Sequence, residues 1–206
     1  SNFNKAFPNA IVTNGTNTTK SGTVNAGWVY VKSGDTLNLV QGSILELRAG
    51  YIQIDGIVQG VGKGFKASST AFSNGAGPGG GKPSGGSNSG SGGGGYGGVG
   101  GKGGYDGSSD PPGLGGIVNG NDTTMVINMG SSGSTGASSG LGGAGGGAIV
   151  MMAPKIKVAG KIYLDGTNAT GALPQCAGGG AGAGRQAAAA CAARCRRRHR
   201  LQRSWL

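Results

Sequence analysis

Fifty of the 206 residues are glycine, only 12% are charged and 5% are aromatic. That composition excludes helical and Rossmann-type enzymes, which need charged helix surfaces and bulky cores. The formal net charge of +11 is not a nucleic-acid signal. Seven of the eighteen basic residues lie between Arg185 and Arg203, and the other eleven against seven acids leave the body at +4.

The N-terminal stretch 1–27 reads as an Asn/Thr-rich extension. Ser1–Asn9 is polar and unlike a signal peptide, so a processed N-terminus is expected. Ala10, Ile11, Val12 and Thr13 form a short apolar run suited to adding as a strand to a neighbour's open sheet edge. Sequons stand at Asn14, Asn17, Asn121 and Asn168, and would carry N-glycans in a eukaryotic or archaeal secretory source.

From Trp28 to Val58 apolar residues alternate in short runs: Trp28–Val31, Leu37 and Leu39, Leu45 and Leu47, Ile52 and Ile54, then Val58. Gly-containing breaks separate them, which predicts short strands recurring every seven or so residues. An ungapped offset of 104 places Leu45, Leu47, Ile52, Ile54, Gly56, Val58 and Gly62 on Ile149, Met151, Ile156, Val158, Gly160, Ile162 and Gly166. Segments 44–60 and 148–166 are therefore expected to be equivalent or facing elements. The resulting expectation is an all-β domain over 28–175, a β-solenoid or β-sandwich-like stack of short strands.

The glycine-rich segment 60–147 is interrupted by one expected strand, Met125–Met129. Its centre, GGYGGVGGKGGY (94–105), is four Gly-Gly-X triplets. A period of three belongs to an extended left-handed helix, here of the polyglycine II kind, rather than to α or β structure. In that geometry Tyr96, Val99, Lys102 and Tyr105 share one edge and are the candidate contact residues. The other two edges are bare backbone, which must be solvated or bonded to neighbouring segments. Gly130, Gly133 and Gly136 keep the same period.

The tail 176–206 is compositionally foreign. QAAAACAARCRRRHR (186–200) reads as an alanine-led helix followed by a basic run. An arginine-rich arm, a solvated helix and a stretch outside the natural reading frame all remain open. Cys176, Cys191, Cys195 and His199 show no zinc-binding spacing, so no metal or other cofactor is expected.

The succession GGGGYGGVGGKGGYDG (92–107), PPGLGG (111–116) and LGGAGGGAIVMMAPKIKVAGKIYLDGTNATG (141–171) resembles glycine-rich secreted surface proteins of parallel β-helix type. The triplets alone are similar to polyglycine II bundles of phage tail-tip adhesins and of an arthropod antifreeze protein. The resemblance implies a secreted protein of the extracellular space or of a cell or virion surface, without catalytic residues.

Chemistry is sparse along the chain. The seven acids do not cluster, and Asp55 and Asp165 each precede a glycine as turn residues. The body contains no histidine, and no phosphate-loop motif occurs between a strand and a helix. Lys155 and Lys157 read as one solvated strand face. An enzyme is not expected, nor a nucleic-acid partner, nor a membrane span. The reading is a structural subunit that self-assembles into an extracellular fibre, sheath or surface layer as a homo-oligomer or polymer. The alternative is an adhesin that presents its exposed tyrosines to a glycan or cell-surface receptor.

Overall fold

The structure, a computed structural model, describes residues 11–13, 15, 17–105, 107, 109–120, 127–137, 140–170 and 186–190. Ten strands follow in chain order: β1 (Ile11–Val12), β2 (Thr18–Lys20), β3 (Gly22–Val31), β4 (Thr36–Leu39), β5 (Ile44–Ile54), β6 (Ile57–Gln59), β7 (Ala148–Met152), β8 (Ile156–Val158), β9 (Lys161–Tyr163) and β10 (Gln186–Ala190). They form a larger sheet ordered β1-β3-β5-β7-β10, with β8 beside the second half of β5, and a smaller sheet ordered β2-β4-β6-β9. Every pairing within both sheets is parallel.

Alternation along each strand decides which side chains are buried. In β5 the residues Leu45, Leu47, Ile52 and Ile54 are buried while their neighbours are at least partly exposed. They meet Val29 and Val31 from β3, Leu37 and Leu39 from β4, Val58 from β6, and Ile149 and Met151 from β7 in one apolar cluster. Fully burying such side chains stabilises by roughly 1.5–3 kcal/mol each.

The offset of 104 recurs as strand register. Leu45 stands opposite Ile149 and Leu47 opposite Met151, Ile52 opposite Ile156, and Val58 opposite Ile162. The aligned turn glycines have a common reason. A Cβ at Gly160 would collide with the Gly56 carbonyl, and one at Gly56 with the carbonyls of Lys32 and Asp35. Successive turns thus lie backbone on backbone, where only glycine fits.

The expected β-solenoid or sandwich-like stack of short strands is corrected by this arrangement. What forms is a pair of open parallel sheets without a helix among the described residues, a result consistent with the all-β class but not with that architecture. A sandwich would carry antiparallel ladders. The strands are also not uniformly short, because β3 runs ten residues and β5 eleven, straight through Ala49-Gly50. Those small residues are tolerated because partners on β3 hold the ladder in register, as Ala26 does opposite Ala49.

Two further expectations differ locally. Residues 22–27, read as part of the N-terminal extension, belong to β3. Residues 186–190, read as the start of a helix, form β10 along β7, since ladder bonds to an open sheet edge outweigh alanine's modest helix preference. Of the expected strand Met125–Met129, residues 127–129 are not in a strand and the rest lies outside the described residues.

Candidate interaction surface

Between β6 and β7 the glycine-rich segment is held by backbone bonds that recur every third residue. Gly90, Gly93 and Tyr96 donate N–H to the carbonyls of Gly104, Gly101 and Gly98 at 2.8, 2.8 and 3.0 Å. Gly100 and Gly103 donate to Gly116 and Gly113, both at 2.8 Å. Gly113, Gly116 and Asn119 donate back to Gly90, Gly93 and Tyr96 at 2.9, 2.9 and 3.0 Å. Segments 90–96, 98–104 and 111–119 thereby form a cycle in which each gives its protons to the next. Segment 79–85 joins by accepting from Gly92 and Gly95 and by donating from Lys82 to Leu114.

Close approach is what makes those bonds available. A Cβ at Gly92, Gly103 or Gly115 would strike a carbonyl of the adjoining segment. Buried hydroxyls complete the satisfaction of polar groups. Ser131 Oγ accepts from Gly79 N–H at 3.0 Å and from Asn119 Nδ2 at 2.9 Å, and Ser134 Oγ donates to the Lys82 carbonyl at 2.7 Å. Both serines are wholly buried, so their hydroxyls act as packing groups.

Segment 98–104 lies at the rim. Gly101 and Gly104 offer carbonyls to segment 90–96, but their N–H groups bond nothing among the described residues. A Cβ placed at either glycine would meet nothing within 4 Å, and neither has a positive φ. The chain's own packing therefore does not require glycine at these two places.

Three of the four expected contact residues stand along this rim. Val99 is 72% and Tyr105 64% exposed, and Lys102 is exposed as well. Tyr96 is half-buried, and its ring lies where a Cβ on Gly120 would fall. The bonds Gly100–Gly116 and Gly103–Gly113 set Val99 level with Ile117 and Lys102 level with Leu114. Ile117 and Leu114 are 68% and 60% exposed, so they extend the surface across two segments. The spacing PPGLGGIV (111–118), with Gly113 and Gly116 three apart, carried that signal in the sequence.

Ile11 and Val12 pair in parallel with Val29 and Tyr30 of their own chain, at one end of the larger sheet. Thr13 is buried and its hydroxyl accepts from Lys32 N–H at 3.0 Å, while Ala10 lies outside the described residues. Asn17 and Asn168 are exposed, and Asn14 and Asn121 lie outside the described residues, as do the three cysteines and His199.

The outer face of the larger sheet is aromatic. Trp28 and Tyr30 stack with centroids 5.2 Å apart, and the Lys155 ammonium sits 5.5 Å above the Tyr51 ring. Burial raises the Tyr30 phenol above its ordinary 10.0, and Asp55 adds to the rise by hydrogen bonding and by its charge. Lys155 and Lys157 are exposed as expected, and Val158, aligned with the buried Ile54 by the 104-residue offset, is 47% exposed.

Among the described residues no group of three or more His, Cys, Asp and Glu could hold a metal ion, and no helix is long and apolar enough to cross a membrane. Comparisons with family models, curated proteins and solved structures return no match.

Proposed function

We propose that the protein is a structural subunit of an extracellular fibre, sheath or surface layer, assembling through glycine backbone contacts and strand addition. The observation that carries this reading is the rim of segment 98–104. Glycine costs conformational entropy wherever it is ordered, yet Gly101 and Gly104 spend that cost without any internal contact that needs them. Their N–H groups, three residues apart and unbonded among the described residues, repeat the pattern by which the neighbouring segments bond to each other.

A glycine segment of a second copy fits this rim. The bonds between the segments of the cycle run one way, donor to acceptor, so the added contact pairs the N–H edge of one copy with the carbonyl edge of another. The sheet ends add a second direction of growth. β1 and β2 bound the two sheets at one end, β9 and β10 at the other, and all are parallel strands with one side unpaired among the described residues.

The test is the double variant Gly101→Ala/Gly104→Ala, examined by sedimentation and negative-stain microscopy over a concentration series. Wild-type protein forms concentration-dependent fibres or sheets. The variant melts no lower than the wild type and loses lateral association. Unchanged assembly by the variant, or a wild-type protein that stays monomeric at every concentration, refutes the reading.

The alternative is an adhesin, and the exposed row of Val99, Lys102 and Tyr105 beside Ile117 and Leu114 favours it. In that case purified monomer binds cells or glycans, and Tyr105→Ala abolishes binding while leaving the oligomeric state alone.

A further inference from the structure

A groove of about 420 Å³ opens where three chain segments meet: residues 66–69 after β6, 141–144 before β7, and 167–170 after β9. Backbone and side-chain bonds hold its walls. Leu141 and Thr170 exchange N–H···O=C bonds of 2.8 and 3.0 Å, and Ala144 N–H donates to Thr167 Oγ1 at 2.9 Å. The Ser68 carbonyl accepts from the buried Thr135 hydroxyl at 2.5 Å, which pins the third wall to the glycine core. The volume falls within the roughly 300–1,000 Å³ of small-molecule sites.

The wall chemistry is one-sided. Among the described residues Lys66 is the only charged one lining the groove, and no carboxylate lines it. Lys66 forms no ion pair among the described residues. Asn168 and Ser69 are exposed and their side chains make no hydrogen bond among the described residues. Thr167 Oγ1 already accepts a proton and keeps its own to donate. The exposed Leu141 supplies an apolar surface beside these groups.

We propose that this groove binds a carboxylate-bearing sugar such as a uronic acid. A lone ammonium answers one negative charge, and an amide with several hydroxyls answers the ring hydroxyls. Leu141 covers a C–H face. A phosphate group would call for an arginine fork or a nest of backbone N–H groups in addition to one lysine. The described wall residues, with no carboxylate among them, offer binding groups for the sugar and neither a divalent-cation ligand set nor an acid/base pair. This site is separate from the rim at residues 98–104 and stands whether or not the protein polymerises.

Asn168 is both a wall residue and a sequon, and a glycan on it would occupy the same groove. The protein is therefore prepared in a host that does not glycosylate, with its mass confirmed. Calorimetric or NMR titration with glucuronate, glucose and inorganic phosphate is run at low ionic strength on wild type, Lys66→Gln and Asn168→Ala, with the exposed Lys157→Gln as a control. Glucuronate is expected to bind about tenfold more tightly than glucose, the size of one charge-assisted hydrogen bond. Lys66→Gln brings glucuronate down to the level of glucose, Asn168→Ala weakens both sugars, and Lys157→Gln changes nothing, all with unchanged melting temperatures. Three results overturn the proposal: no glucuronate binding at millimolar concentration, equal glucuronate affinity in Lys66→Gln, or phosphate binding as tightly as glucuronate.

Discussion

Gly103 and Gly104 are adjacent in the chain and face opposite circumstances, so alanine at each position tests how the glycine segment is held. A methyl group at Gly103 runs into the Gly90 carbonyl. Relieving the clash separates segment 98–104 from its neighbours and loosens three bonds: Gly90 to Gly104, Gly103 to Gly113 and Gly113 to Gly90. At about 1 kcal/mol net for each bond, Gly103→Ala costs about 3 kcal/mol. A methyl group at Gly104 meets open space at an ordinary φ. There alanine restricts the unfolded chain and stabilises by about 0.4–1 kcal/mol. Urea denaturation followed by far-ultraviolet circular dichroism, at a slope of about 2 kcal/mol/M, then separates the two midpoints by about 1.5–2 M. Amide hydrogen exchange at Gly103 and Gly113 reports the same loss locally if the glycine segment unfolds apart from the sheets. Equal midpoints, or intact exchange protection in Gly103→Ala, would refute the view that backbone approach holds this region.

Leu45→Ala removes a fully buried side chain from between the two sheets and is expected to destabilise by about 2–5 kcal/mol, read as a lowered urea midpoint. Above pH 10 the protein should lose stability. The unfolded Tyr30 releases its proton near 10.0 while the folded phenol holds it to higher pH, so the unfolded state binds fewer protons as pH rises through that window. Tyr30→Phe keeps the ring and removes this contribution, so its urea midpoint should fall less than that of the wild type between pH 9 and 12. Deleting residues 1–20 removes β1 and β2, and should abolish fibre growth at that sheet end without dissolving the core between β3 and β7. Normal filaments from the truncated chain would exclude the N-terminal strands from assembly.

Much of the sheet system was legible because alternation and repetition are local properties. The 104-residue offset became the register of β5 with β7 and β8 and of β6 with β9, since identical spacing of apolar residues lets two segments stack side by side in one core. The triplets likewise announced bare edges, and Val99, Lys102 and Tyr105 do lie exposed at the rim. Tyr96 does not, because its place is decided by Gly120, a residue distant in the chain.

What only the tertiary structure decided is which local preferences survive. Ala49-Gly50 looked like a strand break, yet β5 continues through it because β3 supplies ladder partners along most of its length. The alanines of β10 favour a helix in isolation and become a strand beside β7. The groove at Lys66 joins segments about 75 and 100 residues away in the chain, and no spacing in the sequence relates them. Composition by itself announced a glycine excess, and the phase of the triplets pointed to close backbone approach. Which glycines are closed by a neighbour and which are left open was settled by packing, since a glycine's role depends on what stands where its side chain would have been.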